Sequence, residues 1–174
     1  YDSSIKNVED LVAAARKAPR TMTYGNSAGL YRIAMEAVNY HAGIDMLGVP
    51  FKGPAQAATE LLAGRLTVNP DALGAVTPML EAKRMRALAV LGSSRTPALP
   101  SVPTMQELGY KDFAFNGWLG ILAPAGTPQT VIERLHQEIA KAVVSPEIQA
   151  LYTRLGMDPT VLSPQAYGAE MKKD

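Results

Sequence analysis

Between residues 21 and 53 the pattern of apolar and polar positions changes period twice. Thr21-Met22-Thr23-Tyr24 is a short β-prone run, and Gly25-Asn26-Ser27-Ala28-Gly29 interrupts it. Leu30, Ile33, Ala34, Ala37 and Val38 then recur at helical spacing. Residues 44–49 return to strand character, closed by Pro50 and followed by Lys52-Gly53. The pattern predicts a βαβ unit. Such units carry their loops at the carboxyl ends of parallel strands, where open α/β sheets bind ligands. A turn with two glycines and two short polar side chains, running into a helix, leaves backbone N–H groups free for an anion. Residues 25–29 are therefore expected to form an anion-binding turn.

The rest of the chain continues the alternation. Asn7 is the expected N-cap of a helix over residues 8–18, with Glu9 and Asp10 in its first turn, Arg16 and Lys17 in its last, and Pro19 as the stop. Residues 54–63 predict a short helix ended by Gly64, residues 65–69 a third strand, and residues 72–82 a further helix after Pro70-Asp71. Residues 85–91 form a near-continuous apolar run, as expected for a strand covered on both faces. Residues 92–103 hold three prolines and read as a connecting loop. Thr104 and Glu107 have capping-box spacing for one helical turn. Residues 113–123 are the longest strand candidate. Helices are expected over residues 129–144, with the stripe Val131, Ile132, Leu135, Ile139 and Val143, over residues 146–155, and from Ser163-Pro164 through Tyr167 and Met171. Residues 159–162 look extended. Strands and helices alternating from end to end predict an α/β class with a mainly parallel sheet.

Composition narrows the function classes. The chain has 174 residues, is 47% hydrophobic and 19% charged, and carries a formal net charge of +1. That length and that apolar fraction support one domain or two small lobes with a buried core. With no basic run and 6% aromatic residues, nucleic acid is not the expected partner. No apolar run approaches the ~20 residues that span a bilayer, so no direct membrane insertion is expected. The chain opens Tyr1-Asp2-Ser3-Ser4 without a signal peptide and reads as mature or trimmed material. Cysteine is absent, which removes disulfides, thiolate metal sites and a cysteine nucleophile.

Residues 25–29 also spell G-x-S-x-G, the nucleophile-elbow pattern of serine hydrolases. Asp71 and His136 follow Ser27 in the required chain order. Yet His136 lies inside an amphipathic helix, an HGGG-type oxyanion segment is missing, and too few strands precede the turn. The triad is rejected, and no catalytic residue is expected. His41 and His136 lack partners at metal-ligand spacing, so no metal site is expected. Trp118 and Phe115 are read as packing residues of the long strand, and Met22, Met35 and Met46 as core filler. Lys52, in a turn at a strand end, is a candidate carboxylate partner. Arg32 is an unusual cation for the positive end of a helix dipole.

From Val49-Pro50-Phe51-Lys52-Gly53-Pro54 onward the chain resembles the solute-binding receptors of tripartite tricarboxylate transporters, the Bug-type periplasmic proteins. The matching pieces are VPFKGPAQAATELLAGRL, the Asn69-Pro70-Asp71 turn, KRMRALAVLGSSR, LPSVPTMQELGY, WLGILAPAGTP, and the tail ERLHQEIAKAVVSPEIQALYTRLGMDP with SPQAYGAEM. The resemblance implies a two-lobed type II periplasmic-binding fold. Residues 1–112 would be the complete second, ligand-binding lobe. Residues 113–174 would be the hinge strand and the C-terminal part of the first lobe, whose N-terminal part is lacking.

The resemblance further implies a periplasmic receptor that captures a small organic carboxylate or amino acid, presents it to the membrane components of a transporter, and uses no cofactor. Gly25, Asn26, Ser27, Ala28 and Gly29 would correspond to the loop that holds one ligand carboxylate. Asp71 would correspond to the family's aspartate facing the cleft, suited to an amino or hydroxyl group or an ordered water. From the residues alone it reads as a helix N-cap after Pro70 or a solvated turn residue, and both roles hold together if its carboxylate caps Leu73 or Gly74. The turn is shorter than the usual family loop, and Arg32 stands where a histidine is common. If Arg32 points at the cleft it favours a second anionic group. A serine hydrolase using Ser27 and the effector-binding domain of a transcription regulator are the alternative readings.

Overall fold

The computed structural model describes residues 3–117, 120–157 and 159–172. The chain divides into two compact units, Tyr1–Gly117 and Trp118–Asp174.

The first unit opens with helix α1, Val8–Lys17, whose N-cap Asn7 accepts from the Asp10 amide at 2.7 Å. Strand β1 is Thr23–Asn26, helix α2 is Gly29–Ala42, and strand β2 is Leu47–Pro50. β1 and β2 are parallel, in the register Thr23↔Leu47 through Asn26↔Pro50. This is the expected βαβ unit. Helix α3, Pro54–Leu62, and helix α4, Leu73–Glu81, follow.

The expected third strand, residues 65–69, is reduced to one parallel bridge between Tyr24 and Val68. A threonine hydroxyl and a shared carbonyl account for the shortfall. Thr67 Oγ1 takes the Thr23 amide at 3.2 Å, while the Thr67 and Val68 amides both donate to the single carbonyl of Thr23, at 3.1 and 3.2 Å, so the ladder does not advance in regular steps. The segment still lies along β1, because the Gly25 amide donates to Val68 O at 3.2 Å.

Residues 85–91 were expected as a doubly covered strand, and here too only one bridge forms, Val90↔Thr104. The neighbouring position is Pro103, which has no N–H to continue the ladder, although its carbonyl accepts from Val90 at 2.8 Å. Residues 113–123 likewise form no strand among the described residues. The Phe115 amide reaches Leu91 O at 2.7 Å, and the Asn116 side chain then takes over, its Oδ1 accepting from the Ser93 amide at 3.2 Å. Trp118 lies outside the described residues. Thr104 and Glu107 form the full capping box: the Thr104 amide donates to Glu107 Oε2 at 2.8 Å, and the Glu107 amide donates to Thr104 Oγ1 at 3.1 Å.

The core of this unit gathers Val8, Leu11, Val12 and Ala15 from α1, Tyr24 from β1, Met35, Val38 and Ala42 from α2, and Met46, Met105 and Phe113. Met35 and Met46 fill it as expected, and Met22 and Phe115 pack against it. Tyr24 is fully enclosed and donates its hydroxyl to Glu36 Oε1 at 2.7 Å. Burial first, and then that hydrogen bond, push its phenol up to about 12. Its register partner has to be Gly48, since a Cβ there would sit 2.7 Å from the Tyr24 hydroxyl. Buried Asn39 stitches α2 to the approach of β2: its Nδ2 donates to Met46 O and its Oδ1 accepts from the Met46 amide, both at 3.1 Å.

The second unit contains α5, Gln129–Val143, α6, Pro146–Leu155, and α7, Pro164–Glu170. Ser145 and Ser163 precede the prolines that open α6 and α7, and Gly156 closes α6 in the left-handed conformation. The helices appear where expected, and α5 packs on α6 and α7. None of its described residues is buried. Leu135 of the α5 stripe is 49% exposed and Ile121 is 74% exposed.

Candidate functional site

The candidate site lies in the first unit, where β1, β2 and the segment around Val68 end side by side. Because these segments run parallel, the helices that follow them, α2, α3 and α4, all begin at this edge. None of the three has a side-chain cap, and none has an acidic residue in its first turn. Uncapped first-turn amides and the positive ends of three helix dipoles thus face one edge of the sheet. This is the electrostatic environment that attracts an anion.

The expected turn of residues 25–29 is tighter than the sequence pattern indicates. Gly25 and Asn26 are the last residues of β1, Gly29 is the first of α2, and Ser27 and Ala28 alone connect them. Asn26 is held by pairing with β2, its carbonyl accepting from the Phe51 amide at 2.9 Å. Ala28 and Gly29 are exposed, whereas Ser27 Oγ is buried and has no hydrogen-bond partner. A buried hydroxyl without a partner is costly unless a ligand supplies one. The same observation removes the base that a serine nucleophile requires, and Ser27 is not among the residues with positive φ, as a strained elbow would place it.

Asp71 lies two residues beyond the Val68 segment and is half-buried. Its Oδ1 accepts from the Ala72 amide at 2.9 Å and its Oδ2 from Asn69 Nδ2 at 3.1 Å. The expected capping of Leu73 or Gly74 does not occur. Ala72 is the N-cap of α4, which leaves Asp71 one residue outside the helix and within reach only of the adjacent amide. Burial raises the Asp71 carboxyl above the ordinary aspartate value, and the Ala72 and Asn69 hydrogen bonds offset part of that rise. Tyr31, in the first turn of α2, is the titratable neighbour: burial and then the Asp71 charge push its phenol up, while the Ala72 backbone pulls it down.

Lys52 is exposed between β2 and α3, where its backbone amide donates to Gln56 Oε1 at 3.4 Å. Arg32 is exposed on α2, and its charge acts on the Tyr24 phenol. Two residues joining this site were not singled out from the sequence, Asn69 and Tyr31. The position of Asn69 at the end of the third β-prone run was the available signal, and so was that of Tyr31 two residues beyond the second turn glycine. A surface cavity of about 460 Å³ elsewhere in the unit, lined by Lys6, Val8, Leu88, Val102 and Leu108 among others, shares no residue with the candidate site.

Comparison with known proteins identifies the family. Residues 1–173 match the family described as "Tripartite tricarboxylate transporter family receptor". A curated relative from Pseudomonas sp. (strain P51), the UPF0065 protein in the tcbD-tcbE intergenic region, is 34% identical over 99% of this chain and 52% of its own length. Protein BugT of Bordetella pertussis is 28% identical over 92% of this chain and 50% of its own. The chain thus spans about half the length of the curated relatives it matches. Among solved structures, Rpa4515 of R. palustris with adipate superposes with a TM-score of 0.94 at 30% identity, covering 99% of this chain and 58% of that one. The periplasmic binding protein BugD superposes with a TM-score of 0.84 at 27% identity, over 99% and 59%. These neighbours have the periplasmic-binding fold. No helix among the described residues is long and apolar enough to cross a membrane.

Proposed function

Because the chain belongs to the receptor family of tripartite tricarboxylate transporters, we propose that its first unit supplies the anion-holding part of a receptor for a small organic carboxylate. Family and fold are those of substrate-binding proteins, and in this reading the chain performs no chemistry. It works in the periplasm and hands its ligand to the membrane components of a transporter. Residues 1–112 are the ligand-binding lobe, and residues 113–174 belong to the hinge and the other lobe. The carrying observation is that three helices without side-chain caps begin at one edge of the parallel strands, where the buried Ser27 hydroxyl lacks a partner. Amides of the first turn of α2 and the Ser27 hydroxyl donate to one ligand carboxylate, Asp71 accepts from a donor on the ligand or an ordered water, and Lys52 and Arg32 add positive potential at the rim. The adipate held by the Rpa4515 neighbour supports the choice of ligand class.

The test is a thermal-shift screen against adipate, shorter dicarboxylates, monocarboxylates and acidic amino acids. A ligand at 100 times its dissociation constant adds about 2.7 kcal/mol, which raises the melting point of a chain this size by roughly 5–10 °C. Ser27→Ala and Asp71→Ala are each expected to weaken binding by about 10–100-fold, the worth of one hydrogen bond to a charged group. Both variants should keep the wild-type circular dichroism. Unchanged affinity in both would remove the site, and no shift with any acid at millimolar concentration would remove the function.

A further inference from the structure

Asn69 connects two parts of the candidate site that are far apart in sequence. Its Nδ2 donates to Asp71 Oδ2 at 3.1 Å, while its Oδ1 is buried, without a hydrogen-bond partner, and pressed against the backbone of Gly25. The amide can have only this orientation, since reversing it would set its oxygen against the carboxylate. A Cβ at Gly25 would overlap Asn69 Oδ1, lie 3.2 Å from its Cγ and 3.1 Å from the Cβ of Ala57. Gly25 has no positive φ, so space and not backbone conformation calls for glycine here. Around this contact the backbones are tied together by the Gly25 amide donating to Val68 O.

We propose that Asn69 is the positioning residue of the site: it is wedged onto Gly25 and from there holds the Asp71 carboxylate beside the anion-holding turn. A glycine at position 25 is what admits the wedge. The turn and Asp71 then form one rigid unit, so that a shift of β1 carries Asp71 with it. Its value for ligand capture rests on the receptor reading above, but the linkage itself does not.

The test is therefore made on Asp71 without ligand, by following its side-chain carbonyl carbon with pH by NMR in the full chain. The groups facing that carboxyl are the Asn69 and Ala72 donors and the Tyr31 phenol. Asn69→Leu keeps the bulk and removes the donor, and is expected to move the Asp71 midpoint upward. Gly25→Ala, which expels the amide, should move it in the same direction. In an Asn69→Ala background the obstructing atoms are gone, and adding Gly25→Ala should leave the midpoint where Asn69→Ala alone put it. The Ala57 contact is common to both backgrounds and cancels. An Asp71 midpoint in folded Asn69→Leu equal to that of the wild type overturns the proposal. So does an equal effect of Gly25→Ala in both backgrounds. If Gly25→Ala does not fold, Asn69→Leu decides alone. Adipate titrations of the same proteins separate the two ideas: no adipate binding by the wild type counts against the receptor reading, while the Asp71 midpoints still judge the linkage.

Discussion

Asp71 sits in a place that burial makes unfavourable for charge. Its carboxyl is raised in the folded state, so the protonated form is the one that folding favours. The associated stability is present in full below the ordinary aspartate pKa and is lost as pH rises through the raised value. Asp71→Asn is therefore expected to raise the melting temperature at pH 7, by an amount that solvent screening of a half-exposed group keeps small. It should leave the melting temperature unchanged near pH 3, where both side chains are neutral. Melts at the two pH values check this, and an equal gain at both would mean that something other than ionisation is responsible. On the proposed receptor reading, the same substitution weakens carboxylate capture. Asp71 itself was legible as a turn residue after Pro70. The contact of Asn69 with Gly25 was not, because α2, β2 and α3 separate them in the chain and they meet only when the Val68 segment lies along β1.

At the scale of elements, local chemistry decided the helices and tertiary pairing decided the strands. Asn7, Gly43, Gly156 and Ser163 mark helix ends through capping interactions that reach only a few residues, and all four act there. Residues 65–69, 85–91 and 113–123 have strand composition, but each needs a neighbour with free donors and acceptors. The Thr67 hydroxyl takes the Thr23 amide, Pro103 has no amide to give, and the Asn116 side chain takes the Ser93 amide. The α2–β2 connection illustrates the opposite case, in which one side chain makes a junction. Replacing Asn39 by Leu would leave the Met46 amide and carbonyl buried without partners, each costing about 1–3 kcal/mol. Asn39→Leu is expected to destabilise the first unit by about 3 kcal/mol in urea unfolding. A loss below about 0.5 kcal/mol would show that water satisfies Met46 instead.

For the molecule as a whole, the two units differ in how they can resist opening. The first encloses Tyr24, Met105 and Phe113 almost completely, whereas no described residue of the second is buried. Protection from hydrogen exchange follows enclosed apolar contact. Amides of α1 and α2 are expected to exchange at least about 100-fold more slowly than those of α5, as measured by mass spectrometry of the full chain. Equal protection would mean that the exposed α5 stripe is covered in solution. The α/β class, the βαβ unit and the family were all readable before the structure, the last from motifs spread in order along the chain.

By itself the sequence determined where most helices begin and end, where the βαβ unit and its turn lie, and that the chain belongs to the receptor family of tripartite tricarboxylate transporters. Those properties follow from short-range spacing and capping, or from motifs compared one residue at a time. Only the tertiary structure decided that the turn shrinks to Ser27 and Ala28, that three uncapped helices begin at one edge, and that Asn69 joins Gly25 to Asp71. These depend on parallel pairing between segments far apart in the chain. The energy of such pairing belongs to both partners together, and no local pattern carries it.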